Sequence, residues 1–464
     1  MSTADTGTDF YDRSLTSRRY ALVGVVCATI FSCLCIVAGI VALANHGIMR
    51  ITPLNMTVYE MLPQVPLQVK ILTMILDLIV MLCTESIGFV HGLSLRSALA
   101  AESRLRFNPN LRLLTAARGW YNPNGALLNG ISAVLLIISY SSASLVITDT
   151  ISMIGTDTAP SFSASLAIVG LPLLVLGVAI LLQVMIALSG MRAVKILTWS
   201  SSPFDLTAAL VHHTQLVPAT FRCMRRVSDL DTYGGPAKPP DTQPPAWHAH
   251  PSIRKVNISL WVIVAACAGW AALTMYICDR LYGPLPILQI WSFFQNEDSP
   301  LVTYLIPYNN DVEGWTLLFV NIAVVQAPLT LGLHCSELIV NVIRDEKQWR
   351  CATRSKGLTV ATNPLKSIFT DPICLILFVA KPFLRESLCL EFLPVLPSPI
   401  FDDHRLDVWA FVHLELMYCA LHICLFLHFH RIMALRRPSG PQPAAYGHLQ
   451  TLADLVDEWS PVMW

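Results

Sequence analysis

Charge is scarce in this chain: Asp, Glu, Lys and Arg make up 13% of 464 residues, against about 25% in an ordinary soluble domain. The 31 Lys+Arg balance the 31 Asp+Glu. That excludes a global basic field of the kind that holds nucleic acid. No CxxC pair occurs among the 13 cysteines, which argues against a structural zinc module or a disulfide framework. Cys27, Cys33, Cys35, Cys83, Cys267, Cys419 and Cys424 instead lie in apolar stretches, where cysteine is a small packing residue. HExxH and GxSxG are absent, as is any glycine-rich cofactor fingerprint, so no cofactor is expected. Residues 1–19 are polar and mixed in charge, and the apolar stretch behind them is too long for a cleavable signal peptide. No internal repeat supports an inverted-repeat transporter fold.

Long hydrophobic runs are abundant. A bilayer core ~30 Å thick is crossed by ~20 helical residues. Spans are predicted at 20–44, 70–95, 125–148, 164–190, 256–278, 315–340 and 406–430, and 367–384 is a marginal eighth or re-entrant segment. The fold class is therefore all-α, a polytopic transmembrane helix bundle. Its expected parts are an N-terminal tail (1–19), a first four-helix half (20–190), a loop ending in a Pro-rich linker (191–255), a second half (256–430) with a large outer loop (279–314), and a C-terminal tail (431–464). Lys and Arg concentrate in alternate loops, which places the N-terminus in the cytosol. Seven crossings would leave the C-terminus outside, but Arg431, Arg436 and Arg437 favour the cytosol. Asn55-Met56-Thr57 is a glycosylation sequon in an outer loop, and entry through the secretory pathway is expected, to plasma membrane or vacuole.

Ionisable groups within spans are costly, so each is a candidate for function. Asp77, Thr84, Glu85, Gly88, His91 and Gly92 share about a third of the second helix's circumference. Such a face lines a cation or proton pathway through Asp77, Glu85 and His91, or else fixes packing. His334 and Glu337 share a face of the sixth span, and Glu415 and His422 a face of the seventh. Together these four are candidate metal ligands for an intramembrane enzyme. Gly125, Asn129, Ser132 and Ser139 form a small, hydroxyl-bearing face suited to close helix packing. Residues 205–227 read as a helix along the membrane surface, and Gly234–Pro251 as an extended, flexible run. Ala445, Leu449, Leu452, Val456 and Trp459 make one apolar face of a tail helix. Its acidic character favours docking on the protein itself or on a protein partner over an anionic bilayer.

Three stretches carry a resemblance: His91–Arg96 continuing to Arg104–Arg112, Thr198–Pro203, and Gly440–Pro461. They resemble a set of fungal multi-pass membrane proteins with no assigned activity. The resemblance implies a fungal membrane protein and supplies no activity. It implies that the His91–Arg112 junction and the C-tail matter and dock on each other. It also implies a further tail beyond Trp464, as in a truncated gene model. Three readings remain: a transporter- or channel-like protein, a scaffold that recruits partners through the cytosolic loop and tail, and the metal enzyme.

Overall fold

The computed structural model describes residues 15–46, 52–58, 67–154, 161–219, 227, 242–282, 301–305, 311–353, 371–389, 392–397, 409–413, 428, 431–438, 440 and 442–455. Helices dominate: α1 (Leu15–His46), α2 (Leu67–Ala101), α3 (Ala126–Val146), α4 (Gly170–Arg192), α5 (Pro203–His212), α6 (Ala246–Ala249), α7 (Pro251–Tyr282), α8 (Asp311–Ala352), α9 (Pro372–Cys389) and α10 (Leu449–Leu455). Five of them, α1, α2, α3, α4 and α8, are long and apolar enough to cross a membrane.

The surface of α1 shows which solvent its sequence suits. Apart from Val25, its buried positions are small or polar: Ser17, Ala21, Ala28, Ser32 and Cys35. The large ones point outward: Val23, Val26, Ile30, Leu34 and Val37, each more than half exposed. In water this arrangement is inverted. In lipid it is favourable, because tails solvate the large side chains and small residues let helices approach. Gly39 of α1 abuts the backbone of Leu174, and Gly177 of α4 abuts Ser32 and Ile36.

The connections between helices add what the sequence analysis did not contain. Six short strands, β1 (Thr52–Val58), β2 (Ile147–Ile154), β3 (Ser161–Ile168), β4 (Leu301–Leu305), β5 (Phe392–Pro397) and β6 (Trp409–His413), form one sheet of order β1-β3-β2-β5-β6-β4. All pairs are antiparallel except β2 with β5. The all-α expectation holds for the membrane-length elements and omits this sheet. The span expected at 164–190 starts only at Gly170 because Ser161-Phe-Ser-Ala-Ser-Leu alternates with period two, the strand period. The span expected at 406–430 begins as β6, paired with β4 and β5; residues 414–427 lie outside the described residues. The marginal segment 367–384 is helical from Pro372.

The strands join the C-terminal ends of α1 and α3 to the N-terminal ends of α2 and α4. They likewise lie between α7 and α8 and after α9. They therefore gather at one end of the bundle. The opposite end carries the 102–125 and 193–219 connections, residues 242–250, the end of α8 and the C-terminal segment. Here α2 and α8, roughly 52 and 63 Å long at 1.5 Å per residue, outrun a bilayer core. From Val90 to Ala100 every side chain of α2 except that of Arg96 is buried, because other segments cover it there rather than lipid.

Two expectations at this end are corrected. The helix expected at 205–227 ends at His212 and does not lie bare on a membrane surface: Leu206, Ala209 and Leu210 are buried with Leu449 of the tail. Ser202 starts it early by accepting a hydrogen bond from the Phe204 N–H. The described part of the Pro-rich run is ordered, because Gln243 and Pro244 accept hydrogen bonds from Ala444 and Tyr446 of the tail. Arg222, Arg225 and Arg226 lie outside the described residues.

Candidate functional site: a charge cluster inside the bundle

Glu85 lies midway along α2, Glu337 two-thirds along α8 and Lys381 midway along α9. The Lys381 ammonium donates to both carboxylates, Glu85 Oε1 and Glu337 Oε1. Its side chain is 11% exposed, against 39% for Glu85 and 21% for Glu337. His334, one turn before Glu337, places Nδ1 3.3 Å from Glu337 Oε1. Three helices distant in sequence thus converge at Lys381.

A second cation enters from outside the helices. Arg112, in the α2–α3 connection, reaches back into the bundle, and its Nη1 donates to His91 Nδ1 at 3.1 Å. A guanidinium only donates, so His91 accepts at Nδ1 and carries its proton on Nε2. Gly88 makes the approach feasible: a Cβ there would stand 2.9 Å from Arg112 Nη2. Glu337 and Glu85 are the carboxylates whose field acts on Arg112, and burial pulls its guanidinium below the usual arginine range. Counting Glu85, Glu337, Lys381 and Arg112, the cluster is electroneutral, which is how buried charge is tolerated.

Arg112, Asn129, Ser132, Gln183 and His334 line a cavity of about 10 Å3 beside the cluster, close to the minimum for one water. Polar contacts continue toward the strand end: Gln183 Nε2 donates to Ser139 Oγ at 2.8 Å, Thr84 and Tyr140 hydroxyls meet at 2.7 Å, and Gln326 Nε2 donates to Ser144 Oγ at 2.9 Å. The α3 face expected to pack is an interior face, with Asn129, Ser132 and Ser139 buried.

The sequence-derived candidates divide as follows. Glu85, His91, His334 and Glu337 come together. Asp77 is fully buried but stands eight residues, ~12 Å of helix rise, from Glu85. Glu415 and His422 lie outside the described residues. Among the described residues no three His, Cys, Asp or Glu side chains are placed to share a metal ion. At Glu337 the neighbour is an ammonium group. Sequence reasoning missed both cations, taking Arg112 as loop charge and Lys381 as a flank of the apolar core of segment 367–384. The available signal was the cost of Glu85 and Glu337 in apolar helices, which calls for counter-ions elsewhere.

The tail end is a polar assembly of its own. The Phe107 ring lies 4.2 Å from the ring of His250 and 4.8 Å from that of His448, centroid to centroid. Burial lowers the His250 imidazole to about 4, so it is neutral near pH 7. Its Nδ1 accepts from the Ser252 N–H at 3.2 Å.

Comparisons with protein-family models, with curated proteins and with solved structures find no match.

Proposed function

We propose that this chain is a membrane transporter- or channel-like protein that moves a proton or small monovalent cation past the Glu85–Lys381–Glu337 cluster. The observation that carries this reading is an ammonium group held between two carboxylates from different helices. Lys381 occupies the position a small cation would take. A proton or cation arriving on either carboxylate weakens its hold on Lys381 and frees α9 to shift against α2 and α8. The single-water cavity and the hydroxyl-lined interior of α3 suit a proton or small ion better than an organic solute. Asp77 belongs to the same path toward the strand end, and His91 lies on its tail-end side. The test is ion flux in proteoliposomes: Glu85→Gln and Glu337→Gln are each expected to lower it about tenfold or more. Unchanged flux in both variants removes the proposal.

The scaffold reading loses support at the described part of the tail, where Ala445, Leu449 and Leu452 are already buried on the chain itself; Val456 and Trp459 of the same face lie outside the described residues. The metal reading would require Lys381 to leave Glu337.

The topology we infer has eight crossings: α1, α2, α3, α4, α7, α8, α9 and the span expected from the sequence at 406–430, of which residues 414–427 lie outside the described residues. Both termini are cytosolic, and the sheet lies outside or in the lumen. The tail's position supports it, since the described tail packs against the 104–112 connection, which carries Arg104, Arg106 and Arg112. Asn55 then sits in β1, at the edge of the outer sheet, where its pairing with β3 is irregular. Expression in a eukaryotic cell is expected to add one glycan that endoglycosidase or Asn55→Gln removes. A chain with no such shift contradicts this orientation or the use of the sequon.

A further inference from the structure

Residues 442–455 lie across the end of the bundle opposite the sheet, bound largely through their backbone. Glu346 of α8 accepts from the backbone N–H groups of Ala445 and Tyr446 at 3.0 and 2.8 Å. Trp349 Nε1 donates to the Pro443 carbonyl at 2.9 Å, and Arg350 donates to the Gln442 carbonyl at 3.0 Å. The Leu449 N–H donates to the Arg106 carbonyl, and Asp454 accepts from the Ala219 N–H. Gly447 has φ +72°, and a Cβ there would stand 2.6 Å from Asp345 Oδ2. Such a close fit along the segment specifies one bound register. The three stretches singled out in the sequence meet here: Arg96 donates to Asn108 and to the Ser200 carbonyl, and Asn108 donates to the Ser201 carbonyl.

Asn108 is the junction. Its backbone N–H donates to the Gly447 carbonyl at 2.8 Å, and its side-chain Nδ2 donates to Asp345 Oδ2 at 2.7 Å. Four residues later, Arg112 enters the bundle and meets His91. Leu111 between them is buried in the core of α7 and α8. The stretch 108–112 is therefore held by the tail at one end and by the membrane cluster at the other.

We infer that residues 442–455 form an intramolecular latch that positions Arg112 in the cluster. While the latch is closed, the two carboxylates share two cations. When it opens, Asn108 loses its backbone partner, Arg112 is free to withdraw, and this end of the bundle opens toward Asn129 and Ser132. The effect of the latch on flux rests on the transport reading; its effect on residues 104–115 does not.

The experiment uses the full chain with a specific protease sequence inserted between Pro438 and Gln442. It is folded and reconstituted first, then cut, and the tail is removed by dilution. Amide hydrogen exchange at 104–115 is expected to rise about tenfold or more, while α1 and α4 stay protected. Unchanged exchange at 104–115 after loss of the tail overturns the latch. Loss of protection throughout α1 and α4 overturns it too, because the tail is then part of the general core. If the cut tail stays bound, the same cut in Glu346→Gln, which weakens acceptance from Ala445 and Tyr446, gives the same readings. Faster exchange with no change in flux leaves the latch standing and counts against transport.

Discussion

Lys381→Ala is expected to destabilise the protein by about 3 kcal/mol and to abolish flux. Removing one partner of a buried ion pair leaves the other charge uncompensated, at a cost of roughly 3–5 kcal/mol. The lower figure applies because Glu85 retains 39% side-chain exposure and contributes less. The complementary change is informative. Neutralising all four groups, as Glu85→Gln, Glu337→Gln, Lys381→Met and Arg112→Met together, leaves no orphaned charge, and stability is expected to return to within about 1 kcal/mol of the parent. Flux is not expected to return. Unfolding by a denaturing detergent, read by circular dichroism, measures the first effect. A single Lys381→Ala variant as stable as the parent would show that the ammonium does not balance the carboxylates.

The second large effect belongs to the crossing of α1 and α4. At Gly177 a Cβ would stand 2.8 Å from the Ser32 carbonyl oxygen and 2.9 Å from the Ile36 nitrogen. These are backbone atoms and cannot rotate aside as a side-chain tip can. Gly177→Ala is expected to cost about 1–3 kcal/mol, the usual range for an overpacked site, and Gly177→Leu to cost more. Gly130→Ala is the control, since a Cβ there meets nothing within 4 Å. It is expected to be neutral or stabilising by up to ~1 kcal/mol, because alanine is the better helix former. Equal stability of the Gly177→Ala and Gly130→Ala variants would contradict the close crossing. In membranes such crossings replace the hydrophobic drive that lipid removes.

How much could be read from the sequence follows from how local each signal is. The membrane-length helices announce themselves through long apolar runs, and α1, α2, α3 and α8 lie where the runs predict. Strands β2 and β3 were less legible, because Ile147–Thr148 read as the end of one span and Ala164–Ile168 as the start of the next, with a loop between them. Period two in Ser161–Leu166 is the clue that separates them. Trp409–His413 is as apolar as a helix start, and only pairing with β4 and β5 makes it a strand. Half of the charge cluster was legible. Glu85 with His91, and His334 with Glu337, fall on single helix faces, which spacing alone reveals. Lys381 and Arg112 lie 296 and 27 residues from Glu85. No local pattern joins them to it; only three-dimensional packing does. The tail was legible as an apolar face, and its docking on the Arg104–Arg112 stretch was expected from the resemblance. The pairing of Glu346 with the backbone of Ala445 and Tyr446 was not, because backbone partners leave no mark on side-chain pattern.

The most direct measurement is proton and monovalent-cation flux in proteoliposomes, with the parent and the Glu85→Gln/Glu337→Gln/Lys381→Met/Arg112→Met variant compared at equal amounts of folded protein. The account predicts flux above empty liposomes for the parent and a loss of about tenfold or more for the variant. Flux at the parent level in the charge-free variant, or none in either, would contradict it.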